Sequence, residues 1–289
     1  MRNRSRRSLH RTLRKLVYGK APLVSGSFPY FGEKVFFPKG SVVFELACEQ
    51  GMYEETNVRL LVALARPGTY YFDVGANIGL TSIPLLSLVP ECKVVSFEPA
   101  PTTAAFLERT AAASSFGSRW TVVTKAIGSQ NEHVDFHLAA AGMDAFSGFY
   151  DTKRSGAASS VMTVPVTTLD DVWDHLGRPP VSIVKIDVEG AELDVLRGAQ
   201  RCFAAEKPCI VLEWNGSNAA AAGLTSADML DAASDLRYGI FSLPQVTPVR
   251  SPAELSAQML FSEDFLLVPE SSEPLTPYPT AAWWIRHMP

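Results

Sequence analysis

Two stretches of this chain put acidic side chains where an adenosine-containing ligand could be held. In the first, the apolar run Tyr70-Tyr71-Phe72 ends at Asp73 and is followed by Val74-Gly75-Ala76-Asn77-Ile78-Gly79 and a helical pattern. A strand-to-helix turn that lets backbone approach a ligand needs residues without bulky side chains, which Gly75 and Gly79 supply. The Asp73 carboxylate is an acceptor suited to a cationic amine. Glu98 closes the next apolar run, nineteen residues beyond Gly79, where an acid can grip both hydroxyls of a ribose. A dinucleotide site would carry G-x-G-x-x-G, which brings helix N–H groups onto a pyrophosphate. Here the two glycines are four apart and an acid precedes them. That acid repels a pyrophosphate and suits the ammonium of a methionine moiety. Taken alone, the motif also fits an Asp73 that caps the following helix; Glu98 at this spacing weighs against that.

The second stretch is Lys185-Ile186-Asp187-Val188-Glu189-Gly190-Ala191-Glu192, preceded by the apolar Val181-Ser182-Ile183-Val184. If the strand continues to Val188, Lys185, Asp187 and Glu189 share a period of two and point the same way. Charges at the carboxyl end of a buried parallel strand lie where open α/β sheets bind ligands. Any of the three could take the proton of an acceptor hydroxyl as a methyl group leaves sulfur. The competing reading is a mutually neutralising ion pair that orders the loop, with Glu192 favouring a helix N-terminus. Glu213 closes the run Cys209-Ile210-Val211-Leu212. It falls beside this cluster if the two strands are neighbours, as a partner for a lysine or as a substrate contact. The Ser159-Ser160 pair could touch a ligand or simply belong to a loop.

No metal is assigned. The five histidines, His10, His133, His137, His175 and His287, show no ligand spacing, and Cys48, Cys92, Cys202 and Cys209 form no CxxC pair. Paired acids can hold Mg²⁺, but no clear oxygen-ligand spacing is present.

These residues need a scaffold, and the pattern supplies one. Residues 34–47 read as a short hairpin about Pro38-Lys39-Gly40, and Glu54 to Ala65 as a helix stopped by Arg66-Pro67-Gly68. Strands at Thr69–Val74, Lys93–Phe97 and Trp120–Lys125 alternate with helices at about Ile78 to Leu88 and Thr102–Ala113. His133–Leu138 and Met162–Val166 read as strands around the Gly/Ala/Ser-rich stretch Ala139–Ser160. The alternation resumes with strand Val181–Val188, helix Ala191–Leu196, strand Cys209–Glu213 and helix Ser226–Leu236, and closes with strands Tyr238–Leu243 and Phe265–Val268. Such alternation implies a parallel sheet with helices on both faces. The 289 residues divide into a basic arm (1–22), a hairpin and helix (23–68), the main domain (69–270) and a tail with Pro and Trp (271–289).

The net charge of −4 hides an asymmetry: the first 20 residues hold eight Arg and Lys and no acid, and the rest carry 18 basic against 30 acidic residues. A nucleic-acid enzyme spreads basic residues over its binding face, so no nucleic acid is expected as substrate. The arm, with Leu9, Leu13, Leu16 and Val17 at helical spacing, reads as a solvated extension or as a peripheral contact with an anionic surface. No apolar run reaches the roughly 18 residues of a membrane span and no secretory signal is read, which points to the cytoplasm.

Together these stretches resemble the FkbM-type S-adenosylmethionine-dependent methyltransferases. The likeness runs through Gly51-Met52-Tyr53-Glu54, Phe72 to Gly79, Val95-Ser96-Phe97-Glu98-Pro99, Ala126-Ile127-Gly128, Pro165 to Asp170, and Ile186 to Glu192 with Leu196 and Gly198. It covers about residues 50–270. It implies a Class I Rossmann-like fold: a seven-stranded, mostly parallel sheet with a short N-terminal hairpin and helix added. It also implies S-adenosylmethionine as methyl donor and O-methylation of a hydroxyl on a small molecule, such as a natural product or sugar. By the same resemblance Asp73, Gly75, Asn77 and Gly79 surround the methionine part and Glu98 holds the ribose. The Lys125-Ala126 turn lies near adenine, and Glu54, Pro99 and Asp187 complete the cofactor contacts. Asp187, Glu189 and Lys185 are the candidate catalytic residues. The rival functions are a nicotinamide-dependent oxidoreductase, disfavoured by the missing third glycine, and a non-catalytic scaffold that binds a partner or membrane through its arm.

Overall fold

The computed structural model describes residues 24–139, 147–150 and 160–270. The basic arm, the tail, Ser159 and most of Ala139–Ser160 lie outside them. The first half of the described chain forms β1 (Gly26–Tyr30), β2 (Glu33–Phe37), α1 (Val42–Gln50), α2 (Glu55–Leu64), β3 (Tyr70–Val74), α3 (Ser82–Leu88), β4 (Lys93–Phe97) and α4 (Pro101–Ala113). There follow β5 (Trp120–Val123), β6 (Ala126–Ile127), β7 (Glu132–Leu138), β8 (Ser160–Thr167), α5 (Leu169–His175), β9 (Val181–Ile186), α6 (Glu192–Arg197) and α7 (Gln200–Glu206). The chain closes with β10 (Cys209–Glu213), α8 (Gly216–Ala221), α9 (Ser226–Leu236), β11 (Tyr238–Ser242), β12 (Thr247–Val249), α10 (Pro252–Gln258) and β13 (Asp264–Pro269).

The main sheet runs β12-β11-β13-β10-β9-β3-β4-β5. Strands β10, β9, β3, β4 and β5 pair in parallel, whereas β13 is antiparallel to both β10 and β11. Seven of the strands meet the sequence expectation; the eighth is the short edge strand β12. It carries Pro248, a residue that an edge tolerates because it has no ladder N–H to donate.

Alternation along each central strand feeds two cores. Tyr71, Val94, Ile183, Val211 and Leu266 face one, with the N-terminal aromatics Phe28, Phe37 and Phe44. Their chain neighbours Phe72, Val95, Val184, Ile210 and Leu267 face the other, with Leu169, Phe203 and Met229. A strand buried on both faces has no polar side to show, which is why β3, β4, β9 and β10 read as continuous apolar runs.

The expected hairpin over 34–47 is corrected. The hairpin is β1–β2, turned by Phe31 and Gly32 at φ 49° and 84°. Residues 42–50 are helix instead: Ser41 accepts a hydrogen bond from the Phe44 N–H at 3.2 Å, and Val43, Phe44, Ala47 and Cys48 are buried at helical spacing. Phe37 and Phe44 stack at 3.8 Å between ring centroids, which ties the hairpin to the helix.

A separate three-stranded sheet, β6-β8-β7, stands beside β5 in the chain order. Its β7–β8 pair matches the two strands expected around the Gly/Ala/Ser-rich stretch. From it the chain enters α5, where Asp170 has a structural job. Its Oδ1 accepts from the Cys202 N–H at 2.8 Å and its Oδ2 from the Arg201 N–H at 3.0 Å. Both donors are orphan amides of the first turn of α7. Asp170→Ala is expected to lower unfolding stability by about 1–2 kcal/mol, with Asp170→Asn recovering part of it. Urea denaturation checks this, and an Ala variant as stable as wild type would show that the cap contributes nothing.

Candidate active site

Parallel pairing brings the carboxyl ends of four strands to one edge. Asp73 pairs with Ser96 and Lys185 across β3, β4 and β9, and Leu212 pairs with Ile186 across β10 and β9. Glu98, Asp187 and Glu213 therefore leave neighbouring strand tips together.

The turn after β3 is held by backbone. The N–H groups of Gly75 and Ala76 donate to the Phe97 carbonyl at 3.1 and 3.0 Å. Gly75 has φ 86°, and a Cβ built on it would stand 1.8 Å from the Asp187 carbonyl oxygen. The turn thus passes directly under the tip of β9. Gly79, at φ 88°, serves packing: its Cβ would press on Trp120 and Leu107 at 2.8 and 2.9 Å. Asp73 is fully buried. Its Oδ2 accepts from the hydroxyls of Thr81 and Ser82 at 2.6 and 2.5 Å. Ser82 in turn meets Ser96 at 2.7 Å, and the Trp120 indole donates to Ser96 at 2.8 Å. Asp73 anchors this polar thread beneath the turn and does not line the cavity above it.

That cavity, about 790 Å³ including its open mouth, runs between the two stretches. Gly75, Asn77, Glu98, Pro99, Lys125, Ala126, Lys185, Asp187 and Glu189 all line it. Of the other candidates, Glu54 joins through Lys185, while Asp73 and Gly79 lie below. Sequence reasoning missed Tyr53, Thr81, Phe136 and Phe149, which also face it. Tyr53 stood next to Glu54 in a motif, but nothing local signals that α2 meets β9.

Glu98 is 7% exposed. Its Oε2 accepts from the Asn77 N–H at 3.0 Å and its Oε1 from the Ala100 N–H at 2.9 Å. Asn77 itself sits at φ 49°. The carboxylate is fixed on the cavity wall between the glycine turn and the Lys125-Ala126 segment.

At the other end Lys185 Nζ lies 2.6 Å from Asp187 Oδ2 and 3.8 Å from Glu54 Oε2. Burial alone would lower its pKa, but Asp187, Glu54 and Asp73 outweigh it and hold the ammonium well above its ordinary value. A lysine so held stays charged and is no proton acceptor. Burial raises the Glu54 carboxyl, against the pull of Lys185. Burial also pushes the Glu213 carboxyl up to about 10, with Asp187 and Glu189 adding to the rise.

The common strand face expected for Lys185, Asp187 and Glu189 is corrected. Strand β9 ends at Ile186, and Glu189 and Gly190 take φ 55° and 108° as the chain turns toward α6. Glu189 is instead brought in by the turn, buried, with its Oε2 accepting from Asn218 Nδ2 at 2.7 Å. The carboxylate oxygens of Asp187, Glu189 and Glu213 come within 4.8 Å of one another.

A sheet in this order with β13 reversed between β10 and β11, a glycine turn after β3 and an acid at the tip of β4 define a Class I methyltransferase architecture. The chain belongs to the S-adenosylmethionine-dependent Methyltransferase FkbM domain family, whose pattern it matches over residues 73–239. It is similar to the 2-O-methyltransferase NoeI of Sinorhizobium fredii, at 26% identity over 153 residues, 49% of this chain and 62% of NoeI. It is also similar to the hexuronic acid methyltransferase AglP of Haloferax volcanii, at 30% identity over 145 residues, 50% of this chain and 56% of AglP. The chain thus matches about three fifths of the length of these curated relatives. A crystal structure of Methyltransferase FkbM from Methylobacillus flagellatus aligns with 78% of this chain and 52% of that one, at 17% identity and a TM-score of 0.44. Among the described residues, no helix is long and apolar enough to cross a membrane.

Proposed function

We propose that this chain methylates a hydroxyl of a small molecule, with S-adenosylmethionine as donor. The observation that carries the reading is Glu98, a carboxylate pinned by two backbone amides on the wall of a cavity that ends in a second acidic group. The residues fit the donor. Glu98 accepts from the ribose hydroxyls, Lys125, Ala126 and Pro99 border the adenine, and Gly75 and Asn77 lie along the methionine part. Asp73 supports that turn from below through Thr81 and Ser82, in place of a direct contact. The bound donor supplies an electrophilic methyl on a sulfonium sulfur. Tyr53, Phe136 and Phe149 exclude water from the remaining space, and Lys185 orients Asp187. Proton removal from the acceptor falls to Asp187 and Glu189, because Lys185 is charged. Alignment of the two reactants supplies much of the rate gain in such a transfer. The printed names of NoeI and AglP, a 2-O-methyltransferase and a hexuronic acid methyltransferase, support a sugar-like hydroxyl as acceptor.

Calorimetric titration with S-adenosylhomocysteine tests the donor site. Wild type is expected to bind, and Glu98→Ala to bind about 10- to 100-fold more weakly, the loss of about 1.5–3 kcal/mol in hydrogen bonds to a charged group. A folded wild-type protein with no affinity for this ligand would sink the reading.

A further inference from the structure

We propose that Asp187, Glu189 and Glu213, with the side-chain carbonyl of Asn218, form a binding site for one divalent cation of the hard, oxygen-preferring class, Mg²⁺ or Mn²⁺. The three carboxylates come from different places: the tip of β9, the turn that follows it, and the tip of β10. Their oxygens nevertheless lie within 4.8 Å of one another. Like charges gathered this closely repel unless a cation or protons intervene.

A second observation points to a ligand. Asn218 is 3% exposed and its Nδ2 donates to Glu189 Oε2 at 2.7 Å, so its amide head abuts the cluster. Its Oδ1 is buried with no hydrogen-bond partner among the described residues. A buried amide oxygen left unsatisfied costs free energy, and such a carbonyl is a usual ligand of hard cations. The donor set is oxygen only, which selects Mg²⁺, Ca²⁺ or Mn²⁺ over softer metals. Lys185 occupies Asp187 Oδ2 from the opposite direction along the chain, from within β9. The sequence placed Glu213 beside the cluster if the two strands were neighbours, but it gave no sign of Asn218, which meets Glu189 only in the folded chain.

The consequence for chemistry rests on the methyltransferase reading. Mg²⁺ favours six oxygens, so four from the protein leave two positions. Asp187 and Glu189 line the cavity, which places the acceptor on that side. An acceptor with two adjacent oxygens, such as a vicinal diol or a hydroxyl beside a carboxylate, fits those positions. Cation contact lowers the pKa of the hydroxyl, whose proton passes to solvent or a cluster carboxylate. The freed oxygen pair then forms the bond to the methyl carbon as the sulfur–carbon pair returns to sulfur.

The test uses the full chain, stripped with EDTA and dialysed, titrated with Mn²⁺ alone and followed by electron paramagnetic resonance. Wild type is expected to bind one equivalent, and Glu213→Gln to bind at least tenfold more weakly. Asn218→Asp keeps an oxygen at the fourth position and is expected to stay closer to wild type than Glu213→Gln does. Glu213→Gln keeps the size of the side chain and an oxygen to accept from Asn215 Nδ2, so its thermal midpoint without metal should be no lower than wild type. Binding of S-adenosylhomocysteine in EDTA is measured alongside. No Mn²⁺ binding by a wild type that still binds S-adenosylhomocysteine overturns the cation site and leaves the methyltransferase reading standing. Equal Mn²⁺ affinity in wild type and Glu213→Gln places the ion elsewhere and also overturns it. Mn²⁺ binding lost in Glu213→Gln, in a chain with no affinity for S-adenosylhomocysteine, supports the site and removes its methyltransferase role.

Discussion

Replacing Lys185 with methionine is expected to destabilise the fold by about 3–5 kcal/mol near neutral pH, the range for removing one partner of a buried ion pair. Its side chain is only 6% exposed, with Asp187 at 2.6 Å and Glu54 at 3.8 Å. Methionine fills the same channel but leaves two carboxylates without their cation. The loss should also depend on pH in a definite direction. Burial already holds the Glu54 carboxyl above its ordinary value, and Lys185 is the main opposing influence. Without the lysine that carboxyl rises further, so the folded variant binds a proton that the unfolded chain has released. Stability from a raised carboxyl is present at low pH and is lost as pH rises through the folded value. The gap between variant and wild type therefore narrows as pH falls. Urea unfolding at about pH 8 and about pH 5.5 measures it. A variant within about 1 kcal/mol of wild type at both values would mean that the pair contributes no more than an exposed one does.

Gly75→Ala is the second substitution with a large expected effect. The residue sits at φ 86°, and the added methyl carbon would lie 1.8 Å from the Asp187 carbonyl oxygen. The left-handed conformation costs about 1–2 kcal/mol. Relief of the overlap costs about 1–3 kcal/mol more, because the obstacle is backbone just beyond β9, held to β3 by the Asp187 N–H bond to the Val74 carbonyl. The shift needed displaces either the turn that carries Asn77 or the tip that carries Asp187. Affinity for S-adenosylhomocysteine is expected to fall with stability, even at temperatures where the variant is folded. Gly32→Ala separates the two contributions, since Gly32 is at φ 84° with nothing within 4 Å of the added carbon. If both variants lose the same stability and both keep full ligand affinity, the crossing of the turn under β9 does not govern the site.

The central sheet was legible because its strands are buried on both faces and end in charge. Lys93–Phe97, Cys209–Glu213 and Ser226–Leu236 fall where apolar runs and turn residues placed them. The first hairpin was misplaced because Pro38-Lys39-Gly40 looks like a turn, while the actual reversal uses Phe31, a residue with no turn preference, ahead of Gly32. Helices α5, α7, α8 and α10 went unread. Each has six or seven residues, too few for a 3.6-residue period to show by itself; α3 and α6 are as short and were legible from the glycine turns before them. Three of the unread helices did carry a start signal: the side chains of Thr168, Asn215 and Ser251 each accept from the N–H three residues on. In the site, the acids were legible by type and by their places at strand ends. Their partners were not. That Asp73 Oδ2 accepts from Thr81 and Ser82, and that Glu189 is held by Asn218, are facts of tertiary packing that no spacing encodes.

The segment before β3 has a meaning beyond support. The family pattern begins at Asp73, yet Tyr53 lines the cavity and Glu54 approaches Lys185 from upstream of that boundary. Asp264, held up mainly by burial and close enough to feel Lys185 and Asp187, comes from beyond its other boundary. The charged end of the cavity is therefore completed by side chains that the matched stretch does not contain, and a protein cut back to residues 73–239 would lose Tyr53, Glu54 and Asp264 from the surroundings of Lys185.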